Sequence, residues 1–278
     1  MNVDLVLVIT NFNKDKFKEE LLKFVFKSID QNLSWINHIY VITKSIDDLP
    51  IWLDQNKISI LTYGFLIDYT SLSEAIDKIE PFIATVNEIS SNYIVLYDTT
   101  FILQPLKKED FFDSTSNEPI YNISMYLTKE TSPRLTKITN GYLKFNNKVE
   151  LPCLIKRPFY GVVPTNKNLW RELLDKMPEL YSSNSYSSEI IFEYGKKHNK
   201  IKLRNKPWSE GLFHYNPGWA GIINYDLLNN SSRIIMSITN ELTSYRHMPI
   251  QFGPQTRKLI LEGLEYRLGN TPSIYELK

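Results

Sequence analysis

The chain has 278 residues, 42% hydrophobic and 13% aromatic, which supplies a substantial core and excludes long disorder. Its 32 basic and 31 acidic residues leave a net charge of +1, which excludes a whole surface shaped for nucleic acid or anionic lipid and leaves only local basic clefts. The one cysteine, Cys153, allows no internal disulfide, points to a reducing compartment and reads as a packing residue.

The opening run, Val3 to Thr10, reads as a buried strand and not as a signal peptide, since Asp4 precedes its apolar part and no cationic stretch leads it. Phe17, Leu21, Phe24, Val25 and Ile29 recur at helical spacing and predict a helix over 15–31. A strand at His38 to Thr43 follows, then a short helix at Pro50 to Gln55, begun by proline where a missing N–H is harmless, and a strand from Lys57 to Tyr63. Ser71, with Glu74 three residues on, caps the next helix, whose stripe runs to Val86 and which Pro81 should kink or split. Tyr93 to Tyr97 is a near-continuous apolar run, the mark of a central strand covered on both faces, and it stops at Asp98.

Residues 107 to 150 are polar, with strand-like pieces at Ile120 to Leu127 and Gly141 to Phe145, and read as an insertion or lid more than a core layer. Further elements are a strand at Tyr160 to Val163, a helix from Asn166 to Met177, a helix at Glu189 to His198, a strand at Lys200 to Leu203 and a helix over 255–268. Alternation of strands and helices across the first 105 residues predicts an α/β fold with a mostly parallel sheet. No stretch reaches the roughly eighteen apolar residues of a membrane span.

In such a sheet, ligands bind beyond the carboxyl ends of the strands. The first strand end offers Thr10, Asn11 and Asn13, the second Thr43 and Lys44, the central strand Asp98; these suit a base, a ribose and phosphates, and equally serve as turn formers. Asp98 is the most informative, because a carboxylate straight after a buried strand is set at the sheet's edge, where it either holds a divalent metal against a diphosphate or caps a turn. Lys202, Arg204 and Lys206 beside Trp208 suit a pyrophosphate, a sugar face or a nucleic-acid backbone. Arg246, His247, Arg257 and Lys258 form a second basic group.

The segment YIVLYDTTFILQPL, Tyr93 to Leu106, resembles the strand-DxD-strand element of GT-A glycosyltransferases, with Asp98 at the first acidic place. The block SIDQNLSWINHIYVIT, with Pro50 to Leu53 after it, is similar to the Stealth-type sugar-phosphate transferases, which share a GT-A-like core. Together the resemblances cover residues 1 to 112. They depart at Thr100, which stands where the second acid of DxD belongs, so that a metal is held more weakly, depends on other ligands, or is not used.

The resemblance implies a single GT-A-like domain, with residues 1–106 as the nucleotide-sugar half and 107–278 as the acceptor-side half. It implies a divalent metal, Mn or Mg, on Asp98 and His214, with Thr100 near the donor, and Glu189 as general base or acceptor-orienting group. The implied donor is a nucleoside diphosphate sugar, foremost a UDP-sugar. The acceptor is a glycan or a hydroxymethylated DNA base, in the cytoplasm of a bacterium or a phage-infected host, as the AT-rich bias toward Asn, Ile, Lys and Tyr suggests. Two alternatives stay open, a Stealth-like sugar-phosphate transferase and a nucleotide-sugar-binding protein without turnover.

Overall fold

Short segments rich in Val, Ile, Leu and Tyr suit strands covered on both sides. In the computed structural model three of them, β1 (Val3–Val8), β2 (Ile39–Thr43) and β4 (Asn92–Tyr97), are buried along their whole length. With β3 (Ser59–Thr62) and β9 (Val162–Asn166) they make a five-stranded sheet in the order β3-β2-β1-β4-β9. β2 pairs in parallel with both β1 and β3, Leu5 lying opposite Ile39 and Tyr40 opposite Ser59. The structure describes residues 1–9, 16–63, 79–128, 154–158, 161–178, 187–204, 210–214, 220–239 and 253–277. The cap expected at Ser71, the strand expected at Gly141 to Phe145, and Cys153 lie outside these residues.

The chain divides into two compact units, and each draws on residues before and after position 106. One comprises Leu5–Phe65, Leu96–Lys107 and Trp208–Lys278. Its helix α1 (Lys16–Asn32) buries Phe17, Leu21, Val25 and Ile29 of the expected stripe, and Leu22 and Phe26 in addition, while Phe24 is only half-buried. The end of α1 also supplies polar anchors: Lys27 Nζ donates to the Gly269 carbonyl at 2.6 Å and Gln31 Nε2 to that of Leu268 at 2.9 Å. These cap α5 (Pro254–Leu268), whose last carbonyls have no helical partner. Gly269 ends that helix at φ 74°, a left-handed conformation that glycine adopts without strain.

Helix α4 (Ala220–Asn229) packs on α5 at Gly263, where a Cβ would stand 2.8 Å from Leu227 Cδ1, so the absent side chain sets the spacing. Arg267 closes α4 by donating to the Asn230 carbonyl at 2.8 Å.

The short helix expected at Pro50 to Gln55 is instead a turn followed by a 3-10 segment, Gln55–Lys57. Tertiary pairing overrides the local signal: Asp54 N–H donates to the Tyr275 carbonyl at 2.8 Å, and Leu277 N–H to that of Trp52 at 2.8 Å. Trp52 and Tyr275 both pack on Phe26, at 6.1 and 5.5 Å between ring centroids.

The other unit comprises Met1–Asp4, Leu66–Val95 and Lys108–Pro207. Helix α2 (Lys167–Lys176) begins as the sequence predicts, the Asn166 side chain accepting from the amides of Asn168 and Leu169. Helix α3 (Ser187–Lys197) follows it. Strands β6 (Ile120–Tyr121) and β10 (Lys202–Leu203) pair in parallel, and β7 (Ile123–Thr128) and β8 (Leu154–Pro158) form an antiparallel ribbon.

Residues 107–122 correct the reading of this stretch as a lid. Phe111, Phe112 and Tyr121 are buried, and Tyr121 packs edge-on against Phe192 at 5.3 Å. Two of the cations offered for an anionic ligand are also engaged within the fold. Lys202 donates to the Asp113 carboxylate at 2.6 Å, and the Arg204 guanidinium donates to the Asp110 carbonyl.

Glu172 on α2 makes this unit sensitive to acid. Its carboxylate accepts from the Lys200 ammonium, from the Tyr194 hydroxyl at 2.6 Å and from Lys176 at 3.2 Å. The Lys200 contact first, and the Tyr194 hydroxyl next, hold the Glu172 carboxyl down at about 2. A carboxyl depressed in the folded state contributes stability that is complete above its ordinary value near 4.5 and is lost as pH falls toward 2. Acid unfolding followed by circular dichroism should therefore weaken the wild type across that window, and Glu172→Gln should flatten the slope. Because the side chain is 32% exposed, salt should shrink the difference.

Candidate active site

Three backbone hydrogen bonds align the carboxyl ends of four strands. Asp98 N–H donates to the Val8 carbonyl at 3.1 Å, Ile9 N–H to that of Ile42 at 2.8 Å, and Tyr63 N–H to that of Thr43 at 3.1 Å. Asp98, Ile9, Thr43 and Tyr63 thus share one edge, the carboxyl end of a parallel sheet, which is where ligands bind in folds of this kind. Tyr63, buried, sends its hydroxyl past the end of β2 to 3.4 Å from the Ile9 carbonyl oxygen.

After Asp98 and Thr99 the chain turns into β5 (Thr100–Ile102) and leaves the large sheet for a three-stranded one, β11-β12-β5, with β11 (Glu210–His214) and β12 (Ile235–Thr239). β5 runs antiparallel to β12, Thr100 opposite Ser237, while β11 runs parallel to it, His214 opposite Thr239. Ile238 N–H donates to the Thr99 carbonyl at 2.9 Å, which carries the pairing into the Asp98 turn. The backbone of His214 consequently ends at the same edge of this sheet as Asp98. Two strand spacings, about 10 Å in all, separate β11 from β5.

The end of α1 clamps the far side of the same turn. Asn32 Nδ2 donates to the Ile102 carbonyl at 2.6 Å, and Ile102 N–H donates to the Ser28 hydroxyl at 3.2 Å. Trp35 Nε1 donates to the Leu106 carbonyl at 2.6 Å, and Leu106 N–H to that of Asn32 at 3.0 Å. Trp35 and Leu106, one in each of the two segments that carry the sequence resemblance, are therefore hydrogen-bonded to one another.

Asp98 is half-buried in its turn and Lys44 is exposed. Thr43 is buried, its hydroxyl donating to the Ser45 carbonyl at 3.2 Å. Thr100 is 1% exposed, and its hydroxyl is hydrogen-bonded to that of Ser237 at 2.9 Å. Glu189 is the third residue of α3, and His214 is the last of β11. Thr10, Asn11, Asn13, Lys206 and Trp208 lie outside the described residues. Among the described residues no group of three or more His, Cys, Asp or Glu forms a ready metal cage.

Over 97% of this chain and 97% of the other, the structure is similar to that of an active-site mutant of LgtC, with a TM-score of 0.52 and 13% identity. It also resembles the apo structure of the bifunctional glycosyltransferase WbbM, with a TM-score of 0.52 and 12% identity, over 98% of this chain and 50% of that one. The fold is that of the GT-A glycosyltransferases. Residues 16–120 match the family model described as Stealth protein CR2, conserved region 2, a span that takes in α1, β2, β3, the Asp98 turn and the clamp around β5.

Among curated proteins, the chain is 26% identical over 176 residues to the capsular polysaccharide phosphotransferase cps1A of Actinobacillus pleuropneumoniae. It is 31% identical over 96 residues to the capsular polysaccharide phosphotransferase WcwK of Streptococcus pneumoniae. The first match covers 55% of this chain and 46% of the relative, the second 34% and 29%, so the chain spans less than half the length of either.

Sequence reasoning passed over Asn32, Tyr63 and Ser237. For Ser237 a signal exists, the run Ile234 to Thr239 after the turn-forming Asn229 to Ser232, which has the composition of a short strand. For Asn32 none exists, because its partner is 70 residues away in sequence.

Proposed function

We propose that the chain is a transferase that takes a nucleoside diphosphate sugar at the carboxyl edge of its large sheet and passes a sugar phosphate to a hydroxyl of a surface glycan. The observation that carries this reading is the position of Asp98, at an edge shared by four strand ends, within the stretch that matches the Stealth model. The phosphotransferase names of the sequence relatives favour breakage of the phosphoanhydride over breakage of the glycosidic bond.

In this reading Thr10, Asn11, Asn13, Thr43 and Lys44 hold the nucleotide, and the Lys44 ammonium offsets phosphate charge. Asp98 and His214 offer an oxygen and a nitrogen donor by residue type, a pair that suits manganese, with magnesium the harder alternative. Bound there, a divalent ion supplies positive charge to the leaving phosphate. Glu189 accepts the acceptor hydroxyl's proton, and Lys206 and Trp208 hold the sugar or its phosphate. The single cysteine suits work in the cytoplasm. No helix among the described residues is long and apolar enough to cross a membrane.

Transfer of a hexose alone is the second reading, favoured by the GT-A likeness to LgtC. The two differ in what leaves: sugar-phosphate transfer releases a nucleoside monophosphate, hexosyl transfer a nucleoside diphosphate. Incubation with labelled UDP-sugars and an oligosaccharide or hydroxymethylated-DNA acceptor, followed by mass spectrometry, is expected to show UMP and a product heavier by a sugar phosphate. UDP as the nucleotide product would establish the second reading. Binding without turnover under all these conditions would leave a nucleotide-sugar-binding protein.

A further inference from the structure

We propose that Thr100 and Ser237 are a positioning pair, and that Thr100, standing where the second acid of a DxD turn belongs, faces the interior and fixes strand register in place of binding metal. The inference rests on the proposed site insofar as that site uses Asp98 and His214. Both hydroxyl residues are 1% exposed, and their oxygens are 2.9 Å apart. Thr100 comes two residues after Asp98, and Ser237 two residues before Thr239, whose partner is His214. The bond therefore lies one step inside the edge at which the two proposed ligands end.

β5 is only three residues long and pairs with β12 through three residue pairs, too few for the ladder alone to hold register firmly. A slip of one residue would turn every side chain of β5 to its opposite face. A buried hydroxyl pair resists that slip, because a displaced register would leave two polar atoms unsatisfied away from water. The grip of Ser28 and Asn32 on Ile102 anchors the other end of the strand. An acid at position 100 would place a carboxylate in an interior position where Thr100 is 1% exposed, at a high desolvation cost.

The test compares Thr100→Ser, the double variant Thr100→Val with Ser237→Ala, and Thr100→Asp. It reads thermal melting, amide exchange at Ile238, and uptake of Mn2+ alone by electron paramagnetic resonance of the free ion. Removing both hydroxyls orphans neither, so the double variant should melt close to wild type. Its Ile238 amide should nevertheless exchange at least about tenfold faster, because the bond to Thr99 opens more often. Its Mn2+ affinity should weaken by a similar factor, while Thr100→Ser keeps both wild-type values.

Unchanged Ile238 exchange in the double variant overturns the proposal, and so does a rise in Mn2+ affinity in Thr100→Asp. Faster exchange in a protein whose wild type takes up no Mn2+ upholds the positioning pair and removes the metal from the proposed function, so the two failures are separable.

Discussion

Asp98→Asn should melt within a few degrees of wild type and lose at least about a hundredfold in turnover with a UDP-sugar. The asparagine side chain fills the same volume in a half-buried turn, and the backbone bond from residue 98 to the Val8 carbonyl does not depend on the side chain. The substitution removes one unit of negative charge at the carboxyl edge. An amide oxygen is a weaker ligand for a hard divalent ion than a carboxylate, and no group of three acidic or histidine side chains among the described residues stands by to compensate. Steady-state rates and Mn2+ titration on the same samples check the expectation. Turnover above about a tenth of wild type in Asp98→Asn would mean that the diphosphate is held elsewhere, since loss of a charge at the reacting phosphate costs more than that.

Where the sequence repeats a strong local signal, the fold was legible. The β4 run was readable because Tyr93 to Tyr97 are all apolar or aromatic and the run ends abruptly, and α2 because Asn166 caps a clear stripe of Leu169, Trp170, Leu173 and Leu174. The turn at Asp98 followed from β4 alone. Failures occurred where tertiary partners outweigh local pattern. Pro50 to Gln55 has a helix-starting proline, yet its backbone is claimed by Tyr275 and Leu277, more than 200 positions later. Phe111 and Phe112 sit amid Lys, Glu, Asp and Ser, so an averaged polarity hid two core aromatics.

The candidate site was less legible than the fold, for a related reason. Asp98 announces itself by following a buried strand, but nothing local says that β11 and β12 lie beside its turn. That neighbourhood depends on β5 leaving the large sheet, which Asn32, Ser28 and Trp35 enforce through bonds spanning 70 or more residues. Thr100 illustrates the point. Read along the chain it is a defective DxD; read in the fold it is half of a buried hydrogen bond.

Lys167→Met should lower stability by about 3 kcal/mol, a fall of roughly 6–12 °C in melting temperature. Lys167 opens α2, where a cation is disfavoured by the helix dipole, and it is 3% exposed. Burial, the largest influence, pushes its ammonium down from the ordinary lysine range. It is retained there because it donates to three carbonyls, those of Val86 at 2.6 Å, of Asn87 at 3.4 Å, and of Ile89. Methionine keeps the packing of the stem but leaves those carbonyls without their donor, each at a cost of about 1–3 kcal/mol less whatever water recovers. Residues 86–91 lead directly into β4, and the Lys167 amide itself donates to the Ser91 carbonyl at 2.7 Å. The variant should therefore melt early yet turn over normally at low temperature, because Asp98 lies at the opposite end of β4, where the hydrogen bond to Val8 is intact. Calorimetry beside an assay at 15 °C separates the two effects; a large loss of turnover in the folded variant would show that Lys167 serves the site and not only the fold.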